Sequence, residues 1–198
     1  MGKTYRINEL FYSLQGEGRW TGRPAVFVRF SGCNLCCPFC DTHFASGADM
    51  TGEEIVDRVG KEGGACRFVV LTGGEPTLQV DEWLVGLLHA AGYYVTMETN
   101  GTRPVPAGVD WVTCSPKDLF VPNARPVITV CQELKVVYDG CHDIPDYAAI
   151  HAQSRCVQPC DTGDTVRNAD ILRQCINFVK CHPHWQLSLQ THKIIHIP

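Results

Sequence analysis

Short runs of β-branched and apolar residues alternate along this chain with stretches of helical periodicity, and that alternation limits the fold more than any other feature. Strands are read at Val26–Phe30, Arg67–Leu71, Tyr94–Glu98, Asp110–Cys114, Glu133–Tyr138, Arg155–Gln158 and Gln186–Gln190. Most are continuously apolar, as suits parallel strands covered on both faces. Helices are read at Thr51–Glu62, with Thr51 as N-cap and Glu54 closing a capping box, at Asp81–Ala91, stopped by Gly92, and at Val166–Lys180. The pattern predicts an α/β fold with a largely parallel sheet and ligands at the carboxyl ends of its strands. The cysteine-rich loop, Gly73-Gly74-Glu75-Pro76, Glu98-Thr99-Asn100-Gly101, Ser115-Pro116-Lys117 and Gln158-Pro159 all fall at such ends, which points to one site.

The 198 residues fit one domain with an ordinary core and show no repeat, low-complexity tract or linker. A net charge of −4 argues against a nucleic-acid or membrane-surface binder, since both need a basic field. No apolar run approaches the roughly 18 residues that span a bilayer. The N-terminal MGKTYRINELFYSLQGEG lacks an apolar stretch followed by a small-residue cleavage site, so a cytoplasmic location is expected. In a reducing compartment, 12 cysteines suggest metal binding or catalysis more than crosslinks.

Four of those cysteines crowd Gly32-Cys33-Asn34-Leu35-Cys36-Cys37-Pro38-Phe39-Cys40-Asp41. A zinc site wants four ligands, usually as two separated pairs, and the chain has no second Cys-x-x-Cys pair. A thioredoxin-like pair at Cys37 and Cys40 normally opens a helix and leaves the neighbouring cysteines unexplained. The third reading takes Cys33, Cys37 and Cys40 as ligands to three irons of a [4Fe–4S] cluster, with the fourth iron open for chemistry. Cys36 is either a spectator or an alternative to Cys37. The other eight cysteines are scattered through apolar segments and read mostly as small buried hydrophobes. His182, His184, His192 and His196 read as surface or tail residues.

The spacing Cys33-x₃-Cys37-x₂-Cys40, with Phe39 before the last cysteine, resembles the radical S-adenosylmethionine (SAM) superfamily, as does the glycine-rich strand end Gly73-Gly74-Glu75-Pro76. Leu14-Gln15-Gly16-Glu17-Gly18, Gly22 through Phe30, Cys40-Asp41-Thr42, Glu133 through Val137, Val157-Gln158-Pro159 and the tail from Gln190 to Pro198 tighten the match. From about Tyr5 onward the chain resembles the 7-carboxy-7-deazaguanine synthases.

That resemblance implies a shortened, incomplete (β/α)₆ partial barrel, with residues 1–198 as one radical SAM domain, a cluster loop at 33–40 and a substrate-capping tail at 190–198. It implies a lyase that converts 6-carboxy-5,6,7,8-tetrahydropterin to 7-carboxy-7-deazaguanine with loss of ammonia, on the route to queuosine and related 7-deazapurines. The cofactors implied are a [4Fe–4S] cluster on Cys33, Cys37 and Cys40, SAM, and Mg²⁺ at Thr42. Cofactor contacts are carried onto Phe39, Cys40, Asp41, Gly74, Ser115, Pro116, Lys117, Gln158, Pro159, Cys160 and Asp161. Cys160 departs from the family residue at its position. Substrate contacts fall on Leu14, Gln15, Gly16, Glu17, Arg29, Thr72 and Pro198. Glu98 and Asn100 look functional by position but receive no defined role. A homodimer is implied, with flavodoxin or ferredoxin as electron donor. Two rivals share the cysteine spacing in whole or part. A glycyl-radical activase leaves Gln15-Gly16-Glu17-Gly18 unexplained, and an electron carrier or structural zinc protein needs a fourth cysteine.

Overall fold

A computed structural model describes residues 2–198. The strands are β1 (Thr4–Leu14), β2 (Pro24–Phe30), β3 (Ala48–Thr51), β4 (Phe68–Gly73), β5 (Tyr94–Thr99), β6 (Trp111–Cys114), β7 (Val130–Tyr138), β8 (His151–Pro159) and β9 (Trp185–Leu187). The helices are α1 (Gly52–Gly63), α2 (Glu82–Ala90), α3 (Thr165–Cys181) and α4 (Thr191–Ile195). All nine strands join one sheet in the order β3-β1-β2-β4-β5-β6-β7-β8-β9. It is parallel from β2 to β9, and β1 runs antiparallel to both β2 and β3. The α/β expectation therefore holds, and six parallel strands from β2 through β8 form the partial barrel.

Three helices start as their sequences dictate. In α1, Glu54 N–H donates to Thr51 Oγ1 (3.2 Å) and Thr51 N–H donates back to Glu54 Oε2 (2.7 Å). Asp81 caps α2 through Leu84 N–H, and Asp164 caps α3 through Val166 and Arg167 N–H. Each satisfies donors that the first helical turn leaves free. Ile55, Val59, Leu84 and Leu88 then bury against Val26, Val28, Phe30, Val69, Leu71, Val95 and Met97. Ile171 and Cys175 do the same against Leu134, Val136 and Val157.

The opposite, concave face differs. Pairing registers align Phe27 with Val70 and Thr96, Arg29 with Thr72, and Glu98 with Thr113 and Glu133. Aromatic residues floor this face at the strand N-termini. Trp20, from a 3₁₀ turn at Gly18–Trp20, packs edge-on to Phe68 (5.4 Å), Tyr94 (6.1 Å) and Trp111 (5.1 Å). The Arg23 guanidinium lies 4.1 Å over the Phe68 ring. Charged residues follow toward the strand C-termini.

The sequence reading needs correction in three respects. The strand expected at Gln186–Gln190 lies at Trp185–Leu187, because Gln190 already precedes α4. Strands β1 and β3 and helix α4 were not anticipated. β1 mixes charged and apolar residues because one part of it faces the core and another faces a cavity. The strands are also not uniformly apolar: polar residues recur on the concave face at a period of two. Only the β3–β4, β4–β5, β8–β9 connections carry a full α-helix between strands among the described residues, so the shortening falls on the β5–β8 crossovers.

Candidate active site

Two adjoining cavities open at the carboxyl ends of the parallel strands. The first, about 210 Å³, is lined by Cys33, Cys37, Phe39, Cys40, Gly74, Ser115, Lys117, Gln158, Pro159, Cys160 and Asp161, among others. The second, about 780 Å³, is lined by Leu14, Gln15, Gly16, Arg29, Thr42, His192 and Pro198, among others. Glu17, Asp41, Thr72, Gly73, Glu98, Gln190 and Lys193 line both. The strand-end motifs therefore do meet. Of the residues expected to touch cofactor or substrate, Pro116 is the exception: it is buried beside Ser115 and lines neither cavity.

Cys33, Cys37 and Cys40 are free and face the first cavity, whereas Cys36 is exposed and does not line it. Among the described residues no three His, Cys, Asp or Glu side chains converge on a single ion-sized point. Thiols spread around a cavity suit a polynuclear cluster, whose irons lie apart, better than one tetrahedral zinc. Burial raises the pKa of Cys33 and Cys37, and Lys117 works against that rise at Cys37. The backbone beside them is glycine by necessity. A Cβ on Gly74 would collide with the Gly32 carbonyl and touch Cys33, and Gly73 has φ +131°. Gly74 N–H donates to Phe30 O (3.0 Å) and Glu75 N–H to Gly32 O (2.9 Å). The fully buried Glu75 accepts from Thr77 N–H, the Thr77 and Thr99 hydroxyls and Asn100 N–H, at 2.6–3.1 Å. Asn100 in turn donates to Asn34 (3.1 Å). One buried carboxylate thus locks the ends of β4 and β5 to the cysteine loop, and its bonds satisfy the charge that burial penalises.

Lys135 reaches the first cavity with a side chain 4% exposed and bridges Glu17 and Glu98 (2.9 Å to Glu98), the two carboxylates that line both cavities. Burial acts to raise the Glu17 pKa, but the Lys135 charge and hydrogen bonds from Lys135, Gln190 and Gln158 outweigh it, leaving the carboxyl at about 2. Burial would lower Lys135, yet the two carboxylates hold it well above the usual lysine value. Gln15 Nε2 donates to Glu98 (2.9 Å), and its Oε1 accepts from Glu17 N–H (3.1 Å). Arg29 pairs with Glu9 at 2.6 Å and reaches Thr42 Oγ1 at 3.5 Å. Pro198 O accepts from Ser13 Oγ (2.9 Å).

Lys193 sits between the cavities, 2.9 Å from Asp41 and 3.0 Å from Asp161. Asp161 is brought to about 2 by Gly163 N–H, Lys193 and Asn168. Lys117 donates to Ser115 O and Oγ, both at 2.6 Å, and burial followed by the Lys135 charge lowers its pKa. The sequence reading gave no role to Lys135, and none to Gln190, His192 or Lys193 beyond their place in the capping tail. Glu98, Glu133 and Lys135 interrupt apolar strands at a period of two, and that signal was sufficient to place them on the concave face. Lys193, Gln190 and His192 depend on where the tail docks, which no local pattern encodes. Of the eight remaining cysteines, Cys114, Cys131, Cys156, Cys160 and Cys175 are buried, Cys66 is half-buried, and Cys141 and Cys181 are exposed.

A parallel partial barrel with three thiols in this spacing at a strand end, beside a glycine-rich strand end, is the architecture of a radical SAM domain, and the model of the Radical SAM superfamily matches residues 27–120. The particular relatives narrow this. The chain is 50% identical to the 7-carboxy-7-deazaguanine synthase of Bacteroides thetaiotaomicron, over 97% of this chain and 98% of that one. It is 42% identical to the enzyme of the same name from Burkholderia multivorans, over 98% and 100%. The crystal structure of QueE from Escherichia coli superposes with a TM-score of 0.73 at 28% identity, covering 94% of this chain and 93% of that one. This chain belongs to the 7-carboxy-7-deazaguanine synthase family.

Proposed function

We propose that this chain converts 6-carboxy-5,6,7,8-tetrahydropterin to 7-carboxy-7-deazaguanine, with release of ammonia. The observation that carries the reading is the pairing of a three-thiol cavity with a second cavity lined by Gln15, Glu17 and Glu98, whose two carboxylates are joined by Lys135 from the first. The glycyl-radical activase is not favoured by the relatives the chain matches.

Cys33, Cys37 and Cys40 would hold a [4Fe–4S] cluster that, when bound, supplies the electron for reductive cleavage of SAM to methionine and a 5′-deoxyadenosyl radical. The protein's share is placement and exclusion of competing hydrogen donors. The Gly73–Gly74 backbone admits the methionyl end because no Cβ stands in the way. Phe39, Cys40, Asp41, Ser115, Lys117, Gln158, Pro159, Cys160 and Asp161 take the rest of that cofactor, with the buried Pro116 shaping Ser115 and Lys117. At the substrate, the Gln15 amide and the Glu17 carboxylate, with the Leu14–Gly16 backbone, clasp the donor-rich pyrimidine edge. Lys135 keeps Glu17 deprotonated and so purely an acceptor at neutral pH. Arg29 presents its guanidinium to the substrate carboxylate beside Thr42, which takes Mg²⁺ through its hydroxyl. Thr72 and Pro198 complete the lining of the cavity that would take the substrate.

Residues 1–198 act in this reading as a single radical SAM domain, with loop 33–40 and tail 190–198 as its cluster-binding and capping parts. The chain works in the cytoplasm as a homodimer reduced by flavodoxin or ferredoxin, and it binds no nucleic acid. No helix among the described residues is long and apolar enough to cross a membrane.

The test is anaerobic turnover with reconstituted cluster, reductant, SAM, Mg²⁺ and the pterin, read by mass spectrometry. Formation of 7-carboxy-7-deazaguanine is expected. Release of 5′-deoxyadenosine without that product would leave the radical chemistry and remove the substrate.

A further inference from the structure

Glu133 is a buried carboxylate, 2% exposed, on the concave face of β7. Among the described residues it has no ion-pair partner within bridging distance, although Lys135 lies two residues along the same face. What it does have is a backbone donor from the far end of the chain: Arg19 N–H donates to Glu133 Oε2 at 2.7 Å. Arg19 follows Gly18, and the two belong to the turn that carries Gln15 and Glu17 into the substrate cavity.

The turn is shaped to receive that carboxylate. Gly18 has φ +64°, and a Cβ there would collide with Glu133 Oε1. Gly18 N–H donates to Ser188 Oγ (2.9 Å), and Ser188 donates onward to Gln158 Oε1 (2.9 Å). Thr191 N–H and Oγ1 both donate to Gly16 O, at 2.9 and 2.8 Å, and Gln190 Nε2 donates to Glu17 Oε1 (3.0 Å). The sheet itself stays open, with β3 and β9 at its edges. These bonds are the seam by which the β1–β2 turn is fastened to β7, β9 and the tail. Among the described residues Glu133 is the only carboxyl group in that seam that accepts from the turn's backbone; burial raises its pKa, and the Lys135 charge and the Arg19 N–H work against that rise.

A neutral Asn, Ser or Thr caps a helical turn without burying a charge. A buried carboxylate is a costly cap, so the local fold alone does not account for Glu133. Its oxygen makes a shorter, stronger bond to N–H than a neutral acceptor does, and that stiffens the turn. Glu17 and Gln15 read hydrogen-bonding groups, and small displacements of such groups are expensive in affinity.

We infer that Glu133 is a positioning residue for substrate recognition, holding the Gly16–Arg19 turn so that Gln15 and Glu17 meet the pterin edge. The inference rests on the pterin reading given above. Glu133 does not touch the substrate; it acts through the Arg19 amide.

The experiment compares the wild-type holoenzyme with Glu133→Ala, Glu133→Gln and Gly18→Ala. It measures pterin KM and kcat, the ratio of 5′-deoxyadenosine to product, pterin binding by anaerobic equilibrium dialysis, and the melting midpoint. Glu133→Ala is expected to raise KM and the dialysis Kd about tenfold while kcat stays within about threefold, with excess 5′-deoxyadenosine. Glu133→Gln keeps an acceptor oxygen and should bring KM back to within about threefold of wild type. Gly18→Ala should reproduce the KM defect, less so in the Glu133→Ala background where the collision is gone. A folded Glu133→Ala with wild-type KM and Kd overturns the inference. So does a loss confined to kcat and the melting midpoint, which a structural prop would give, or a folded Gln variant as defective in KM as the Ala one. The functional reading fails separately: a wild-type enzyme that neither binds nor turns over the pterin removes both ideas, whereas normal wild-type turnover beside an unaffected Glu133→Ala removes only this one.

Discussion

The loop Cys33–Asp41 and the turn Gln15–Trp20 form facing walls of one site and are held in opposite ways. In the loop, Asn34, Cys36, Pro38, Cys40 and Asp41 are all exposed. Its ties run mostly through exposed residues: Gly32 N–H to Phe44 O and Glu75 N–H to Gly32 O at its start, Asn34 to Thr102 and Asn100, Cys40 N–H to Cys37 O, Asp41 to Lys193, and Phe39 edge-on to Phe120. The turn is bonded through partly buried groups to β5, β7, the Ser188 position just after β9, and α4, and Trp20 plugs the aromatic floor beneath it. A wall that delivers thiols to a polynuclear group draws its final geometry from the metal–sulfur bonds, because metal binding and ordering are coupled. A wall that reads the polar edge of a small molecule has no such help and must be stiff before the ligand arrives.

The largest expected effect separates the thiols within the loose wall. Cys37→Ala should strip iron from the reconstituted protein and lower turnover by more than about 10³-fold, since the ligand set is lost. Cys36→Ala should keep its iron and stay within about threefold of wild-type turnover. Iron and sulfide content with electron paramagnetic resonance reads both. Iron lost with Cys36 and retained without Cys37 would reverse the ligand assignment.

In the stiff wall, Lys135→Met leaves the partly buried Glu17 and Glu98 without their cation. Removing one member of a buried ionic group costs about 3–5 kcal/mol, so the denaturant midpoint should fall accordingly. Glu17→Gln with Lys135→Met should recover part of that loss, because one stranded charge goes with it. A Lys135→Met protein as stable as wild type would mean that the wall is not held by this triad.

The same triad sets a pH dependence. The folded Glu17 pKa of about 2 lies below the value of 4.5 for the free side chain, so its contribution to stability is complete above about pH 4.5. That contribution is lost as pH falls through the window from 4.5 to about 2, where the unfolded chain takes the proton first. Urea denaturation across this range should show a shallower decline in Glu17→Gln than in wild type. Identical slopes would place the carboxylate outside the network. Asp161, also at about 2, contributes in the same direction from the exposed side, where solvent weakens it.

The loose wall was the more legible of the two in the sequence. Its residues are neighbours in the chain, so Cys33, Cys37 and Cys40 could be read from spacing and Gly73–Gly74 from the turn, and all five line the first cavity. The Thr51–Glu54 box is equally local and agrees with the structure, and the helix read at Asp81–Ala91 is found at Glu82–Ala90 with Asp81 as its cap. The stiff wall is made of partners that lie far apart in sequence: Glu17 with Lys135, Arg19 with Glu133, Gly16 with Thr191. Gln15 and Glu17 were placed by resemblance, and Lys135 stood in a quoted motif without a role. Only the register of β5, β6 and β7 brings Glu98, Thr113 and Glu133 onto one row. β1 escaped notice for the same reason, since its polar residues are explained by a cavity that exists only after folding.

The smallest effect tests the comparison most directly, by removing one side-chain hydrogen-bonding group from each wall. Asn34 is exposed, and its bonds to Thr102 and Asn100 compete with water, so Asn34→Ala should cost no more than about 0.5–1 kcal/mol. Ser188 is 3% exposed, accepts from Gly18 N–H and donates to Gln158. Ser188→Ala leaves a buried donor and a buried acceptor unpaired, at about 1–3 kcal/mol. Paired denaturant titrations of the same preparation resolve that difference. Equal costs would mean that the two walls are equally firm, and the stiffness assigned to the turn would then have to come from Trp20 and the aromatic floor instead of from the polar seam.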